Sequence, residues 1–390
     1  MAARAFNSRA HGRAAIAGVG YTSFSRSAQA SVLELALSAV EAALADCGLP
    51  CDAVDGILSY HLGDSAPVTT VARSLGLPRL RWHNEIYGGG SQCASILWEA
   101  VQAIEDGLAE TVVIYRALKG RSGKRMGQIS HGSADGLEDQ FITPYGNRGP
   151  VNTFALTAQR WLHQRQLGED ALASVAIAQR SHALANERAM FREPLDSAQY
   201  FSSPMIASPL RRFDCCLETD GACALVITST ARARQLFQPP VCIHSAVRGG
   251  GAGGSYWDKA ESLDEIFSRF IAAEFFRTSG VNTADIDLAY LYDAYTFLVP
   301  AQLEDFEFCA RGESIEFIKS GETQAEGSLP VNSNGGMLSE GYVHGLNNIV
   351  EATLQLRGTQ GSRQLNKANT AVCTGFGGRY GSAALLTVDG

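Results

Sequence analysis

Two short segments hold side chains that could exchange protons. Tyr292 and Asp293 open "YDAY" (292–295), and Tyr342 and His344 sit inside "SEGYVHG" (339–345). A tyrosine hydroxyl donates a hydrogen bond, or shuttles a proton if its pKa is lowered. His344 stands one valine past Tyr342, where the start of a helix would lower its pKa. Asp293 is an acidic residue of the kind that orients its neighbours. Each has a structural reading as well: an aromatic that fills space, a strand-end residue, a histidine bonded to backbone. Two glycine runs lie close to these segments in kind or in sequence. Gly88, Gly89 and Gly90, and then Gly335 and Gly336, leave backbone N–H groups free to approach a ligand at a helix start. The same glycines could serve only close helix packing. Arg116, Arg121, Lys124 and Arg125 could meet phosphate groups, or form a solvated basic loop.

Metal chemistry has little support. The nine cysteines stand at 47, 51, 93, 215, 216, 223, 242, 309 and 373. Cys47 and Cys51 are four apart, but no second pair or nearby histidine completes a zinc set. An odd count in a chain this long is unlike a secreted disulfide framework. These thiols, the "CC" at 215–216 included, read as buried small hydrophobes in a reducing cytoplasm.

Composition narrows the function classes further. The chain has 390 residues, 45% hydrophobic and 18% charged, as in a soluble globular protein. A net charge of −8 gives no general affinity for nucleic acid. No apolar run reaches the roughly 18 residues of a membrane span. Residues 1–13, "MAARAFNSRAHGR", are basic and lack the apolar core of a secretory signal. They read as a short disordered start.

The elements that would position these residues come in two similar sets. In "LELALSAVEAALADCGLPCDAVDGILSY", Leu33, Leu37, Val40 and Leu44 have helical spacing and Gly48 ends the helix. "LDEIFSRFIAAEFFRTSGVNTADIDLAYLYDAY" repeats the arrangement around Gly280. Tyr60 and Tyr292 each lie twelve residues past their glycine and close a short strand. "YGGGSQCASILWEAVQAIEDG" (87–107) and "SEGYVHGLNNIVEATLQLRG" (339–358) are each a glycine-rich turn and a helix. "TVVIY" (111–115) and "TAVCTGFGG" (370–378) are the strands after them. "AAIAGVG" (14–20) and "ACALVITS" (222–229) bound the first set; "VCIHSAV" (241–247) and "SAALLTV" (382–388) bound the second. Two β-α-β-α-β-β halves predict an α/β fold in five layers (α-β-α-β-α), with two sheets and buried central helices. The halves are 14–235 and 236–390, and an insertion at 118–215 interrupts the first. An insertion this long carries function, such as a pocket wall.

This rhythm, with "NSNGG…GYVHG" and "CTGFGG", resembles the thiolase superfamily over nearly the whole chain. The likeness is to its sterol-carrier-protein-like branch. "YRALKGRSGKRMG" (115–127), "QLEDFEFCARGE" (302–313) and "GSLPVNSNGGMLSEGYVHGLNNIVEA" (327–352) bring it nearest the steroid side-chain-cleaving aldolases. In the family's pattern the nucleophilic cysteine falls at Gly90, so no thiol is there. Cys93 lies one turn further on. The asparagine of "N-E-A-F" becomes Tyr292, and the histidine of "G-H-P-x-G" becomes Tyr342. Cys373 resembles the family's second cysteine.

Thiolysis needs a nucleophile and oxyanion donors. Retro-aldol cleavage needs a base for a β-hydroxyl and a donor for a thioester enolate, with no cofactor and no metal. The resemblance therefore implies an aldolase acting on a β-hydroxyacyl-CoA. Its substrate would be a 17-hydroxysteroid with a short CoA-linked side chain, cleaved to a 17-ketosteroid and propionyl-CoA. It also implies that Gly88–Gly90, Gly335, Gly336, Arg116 and Arg121 contact substrate or CoA. The implied assembly is a homodimer joined to a small OB-fold/zinc-ribbon partner protein as a heterotetramer. Two other readings stay open: an acyltransferase using Cys93 or Cys373, and a non-catalytic acyl-CoA- or lipid-binding subunit.

Overall fold

The computed structural model describes residues 12–123, 125, 140, 143–147, 149–251 and 263–389. The expected disordered start at 1–13 lies outside the described residues save for its last two, as does Lys124.

Local sequence signals account for the main elements. Strand β1 (Ala14–Tyr21) leads to helix α1 (Val32–Cys47). Ser31 and Glu34 form a reciprocal capping box at its start, and Gly48 ends it in the left-handed conformation (φ 74°). Strand β2 (Gly56–His61), helix α2 (Val68–Ser74) and strand β3 (Trp82–Tyr87) follow. Neither α2 nor β3 was expected from the pattern. A 3₁₀ turn at Gly90–Gln92 then enters α3 (Ile96–Glu105), and β4 (Thr111–Lys119) comes next. Within the insertion lie α4 (Pro150–Arg165), α5 (Glu169–Ala183) and the small hairpin β5 (Met205–Ala207) and β6 (Leu210–Arg211). Strands β7 (Asp220–Ser229) and β8 (Val241–Gly250) are adjacent in sequence. Helix α6 (Ser268–Ser279) again stops at a left-handed glycine, Gly280. Strand β9 (Leu288–Tyr290), helix α7 (Leu298–Asp305), helix α8 (Leu346–Leu356) and strands β10 (Thr370–Gly377) and β11 (Tyr380–Val388) follow, with short helical turns between α7 and α8.

The sheet order is β3-β2-β4-β7-β1-β8-β11-β10-β9. The repeat is visible in strand sense. β1 runs antiparallel to β7, β7 antiparallel to β4, and β4 parallel to β2. In the same way β8 is antiparallel to β11, β11 antiparallel to β10, and β10 parallel to β9. The expected two sheets are therefore two stretches of one nine-stranded sheet. They join because the first strand of each stretch pairs with the other, Ala15 with Cys242 and Ile16 with Val241. β3 is the one strand of the first stretch without a counterpart in the second.

The layers follow from which faces are covered. α1 covers β1, β4 and β7, while α6 covers β8 and β11. α8 contacts β1 and β7 of one stretch and β9, β10 and β11 of the other, and α3 contacts β4, β7 and β8. A helix so enclosed must satisfy its polar groups internally. In α8, Glu351 pairs with Arg188 and Arg363, and the Asn347 side chain donates to Glu340 at 2.9 Å. The glycine-rich turns that start α3 and α8 thus meet in the middle of the molecule. No helix among the described residues is long and apolar enough to cross a membrane.

Candidate active site

A cavity of about 810 Å³ opens where those turns meet. It is lined by Gly88, Gly89 and Gly90 from the start of α3, by Tyr292 after β9, and by Tyr342 and His344 before α8. The two tyrosine hydroxyls lie 3.1 Å apart. The imidazole ring is 5.0 Å from the Tyr342 ring, nearly edge-on. Three of the four proton-handling candidates therefore share one space.

Each is held by its backbone. The Tyr292 N–H donates to the Thr374 hydroxyl (2.8 Å), which donates to the Gln302 side-chain oxygen (2.6 Å). The Gln302 amide closes the ring by donating to the Tyr292 carbonyl at 2.9 Å. The Thr219 hydroxyl accepts the Tyr342 N–H (2.8 Å) and donates to the Tyr342 carbonyl (3.0 Å). His344 adopts a left-handed backbone (φ 52°), and its carbonyl accepts the Tyr60 hydroxyl at 3.0 Å. Tyr60, the first-half counterpart of Tyr292, is structural.

Gly90 and Tyr292 are complementary. A Cβ at Gly90 would stand 2.0 Å from the Tyr292 Oη. The tyrosine fills the space that a side chain at this position would need.

Electrostatics favour neutral groups here. Burial pushes both phenols well above the ordinary tyrosine value. The two are not equivalent. Against burial, the Tyr292 hydroxyl and the Arg116 guanidinium pull Tyr342 down, whereas Tyr342 raises Tyr292 further. Burial and the adjacent Arg116 depress His344 to about 3, so its ring is neutral at physiological pH.

Other candidates lie elsewhere. Asp293 is fully buried and turned from the cavity. Its carboxylate accepts the N–H groups of Met337 (2.9 Å) and Leu338 (3.4 Å), and burial raises it to about 7. Gly335 and Gly336 belong to this same turn, with φ of 96° and 62°, and do not line the cavity. A Cβ at Gly336 would meet the Asp293 carboxylate at 1.9 Å. Arg116 is buried in β4 and bonded to Asp64, Ala117 and His344, which leaves no path to a phosphate in solvent. Cys93 and Cys373 are buried off the cavity. Burial pushes Cys93 to about 12 and Cys373 well above its ordinary value. Cys215 and Cys216, read from sequence as inert interior residues, in fact line the wall.

The pocket wall was partly legible in the insertion. Val151 and Phe154 of α4 and Ile206 of the hairpin face the cavity. The Phe154 ring centroid lies 4.8 Å from Phe376 and 5.3 Å from Tyr295. The lining also holds Arg121 and Arg125, which share Glu218, together with Arg26 and Arg212. Arg26 and Arg212 lack any motif around them, and sequence reasoning missed both. An apolar interior with arginines suits a ligand that is apolar at one end and anionic at the other. Among the described residues, no group of three or more His, Cys, Asp or Glu is arranged to hold a metal ion.

The chain is 38% identical to a steroid side-chain-cleaving aldolase of Thermomonospora curvata, over 94% of this chain and 96% of the relative. It is also 38% identical to the 17-hydroxy-3-oxo-4-pregnene-20-carboxyl-CoA lyase of Mycobacterium tuberculosis, over 94% and 97%. The chain belongs to the thiolase superfamily, in the branch of the steroid side-chain-cleaving aldolases. Residues 265–388 match the family described as Thiolase C-terminal domain-like. The solved Ltp2-ChsH2(DUF35) aldolase superposes with a TM-score of 0.91 at 36% identity, covering 97% of this chain and 99% of that one. Human mitochondrial 3-ketoacyl-CoA thiolase shares the fold, with a TM-score of 0.71 at 15% identity. Gly90, the position at which the sequence resemblance sets the thiolase nucleophile, lies beneath the Tyr292 hydroxyl.

Proposed function

We propose that the chain is a carbon–carbon lyase that splits a 17-hydroxysteroid carrying a short CoA-thioester side chain into a 17-ketosteroid and propionyl-CoA. The observation that carries this reading is the tyrosine pair, 3.1 Å between hydroxyls, in the place of thiolase machinery. Tyr342 takes the proton of the steroid hydroxyl. The O–H electrons become the new C=O bond, the adjacent carbon–carbon bond breaks, and its electrons pass into the thioester enolate. The proton returns through the tyrosine pair to the carbon α to the thioester. Atoms balance with no water, free CoA or redox partner. Tyr292 donates to the Tyr342 phenolate, consistent with the unequal effect of each phenol on the other. Asp293, Gly335 and Gly336 then shape the turn before α8, and Gly88–Gly90 admit the thioester.

The arginines Arg26, Arg121, Arg125 and Arg212 are suited to the CoA phosphates. The assembly we propose is a homodimer carrying a small DUF35-type partner, by analogy with the Ltp2-ChsH2(DUF35) aldolase. All nine cysteines are free, which supports a cytoplasmic place.

The test is product analysis by mass spectrometry, with and without the partner. Wild type should release both products without added CoA. Tyr342→Phe keeps the ring and should lower turnover by about a hundredfold or more, the usual loss for a general acid/base, with little change in binding. Tight binding with no cleavage, partner included, would instead make the chain a binding subunit.

A further inference from the structure

We propose that the His344 Nε2–H group donates the hydrogen bond to the substrate's thioester oxygen, and that Arg116 is the positioning residue that fixes its tautomer. The inference rests on the lyase reading and supplies what the tyrosine pair leaves undone, a donor for the enolate.

The tautomer follows from hydrogen-bonding rules. The Arg116 guanidinium lies against Nδ1, with Nη2 at 2.6 Å and Nε at 3.2 Å. Arginine has donors and no acceptor. Nδ1 must therefore accept, and a neutral imidazole then carries its proton on Nε2. An imidazolium would turn an N–H toward a guanidinium and add like charge, so it is disfavoured twice. Arg116 is itself held by Asp64 at 2.6 Å and by the Ala117 carbonyl at 2.9 Å. Its ring-stacking partner is Tyr60, at 5.6 Å, the residue whose hydroxyl holds the His344 carbonyl. Strand β4, strand β2 and the loop after it thus converge on one imidazole.

The other nitrogen is free to work. Nε2 is buried and has no hydrogen-bond partner among the described residues. A buried donor left unpaired is unfavourable and marks a place for an acceptor. The space beside it is open because residue 89 has no side chain. A Cβ at Gly89 would stand 3.3 Å from Nε2. Both groups line the cavity that holds the tyrosine pair. A β-hydroxyacyl thioester has its hydroxyl and carbonyl oxygens three carbons apart, so one end can meet Tyr342 while the other meets His344.

Two measurements test this in the full chain with its DUF35-type partner. The first is nitrogen-15 NMR of labelled histidine. The chain has eight histidines, and His344→Asn assigns the signal by its disappearance. We expect a protonated Nε2 and an unprotonated Nδ1 throughout pH 6–8. A proton on Nδ1, or an imidazolium in that range, overturns the proposal without any kinetic variant. Arg116→Met should mix the tautomers.

The second is kinetics. Asparagine tolerates the left-handed backbone and keeps an amide near the δ position, but has no donor at ε. His344→Asn should lower kcat by about 100- to 1,000-fold, the loss typical of an oxyanion donor, with KM little changed. His344→Gln, whose amide reaches the ε position, should recover at least tenfold of that. Exchange of the α-hydrogen of propionyl-CoA in D₂O needs the same enolate and no cleavage. It should occur in wild type and vanish in His344→Asn. Near wild-type cleavage or exchange in His344→Asn overturns the donor role. Failure of the lyase reading looks different: wild type leaves the steroid thioester intact, whatever the tautomer and exchange show.

Discussion

Tyr292 and Gly90 show how one exchange of residues changes the chemistry a site can do. With a Cβ at Gly90 falling 2.0 Å from the Tyr292 oxygen, a cysteine at 90 and this tyrosine cannot coexist in place. Gly90→Cys should therefore not restore thiolase activity. It should push Tyr292 off Tyr342 and lower cleavage by about a hundredfold or more, measured by product release with and without free CoA. Cys93→Ala and Cys373→Ala should keep most activity, since both thiols are buried away from the cavity and held protonated. A thousandfold loss in either is the signature of a covalent nucleophile and would favour an acyltransferase. pH offers a separate check. The Tyr342 phenol is raised by burial, so its phenolate is scarce at neutral pH and grows about tenfold per pH unit below its pKa. Cleavage should rise from pH 7 to 9, and Tyr342→Phe should flatten that rise. Residue types and spacing in the sequence were enough to bring Tyr292, Tyr342 and His344 together, because the superfamily pattern fixes where each turn points. They could not place Arg116, whose charge suggested a phosphate contact. Only the depth of β4, and the imidazole beside it, set Arg116 apart from solvent.

At the scale of elements, the turn between Gly335 and Ser339 hangs on Asp293. Its carboxylate accepts two backbone N–H groups in an enclosed place, and burial raises it to about 7. The sign is that of a buried acid. The unfolded chain loses this proton near pH 4, the folded chain near 7, so the contribution of Asp293 to stability is fully present below pH 4 and is lost as pH rises through 7. Asp293→Asn removes the titration. In denaturant unfolding, the stability of the variant relative to wild type should therefore improve steadily from pH 5 to 7 and level off above. A constant difference would mean that the carboxylate is already ionised at pH 5. Helices α1 and α6 were legible because Gly48 and Gly280 end them at matched points. The joining of the two sheet stretches was not, since a two-pair contact between β1 and β8 leaves no periodic mark. β3 also escaped the pattern, because it has no equivalent in the second half to reveal it.

That unmatched strand carries the argument at the scale of the whole molecule. β3 pairs with β2 along one side and is one of the two outer strands of the sheet. An open edge is a template for another chain unless it is blunted. Its residues alternate half-buried and exposed, and Tyr87 at its end is 76% exposed. The next three residues are Gly88, Gly89 and Gly90, which line the cavity. Whatever binds the β3 edge therefore also bears on the site. We propose that a second copy does, giving an obligate interface of about 2,000 Å² or more. Sedimentation should show a dimer at micromolar concentration, and a stable monomer would refute it. Tyr87→Lys should weaken the dimer by at least tenfold without unfolding the chain, because the side chain projects into solvent in the single copy. If the interface braces the glycine turn, dilution of Tyr87→Lys should lower kcat in step with the monomer fraction. An activity that holds constant through dissociation would separate dimer from site.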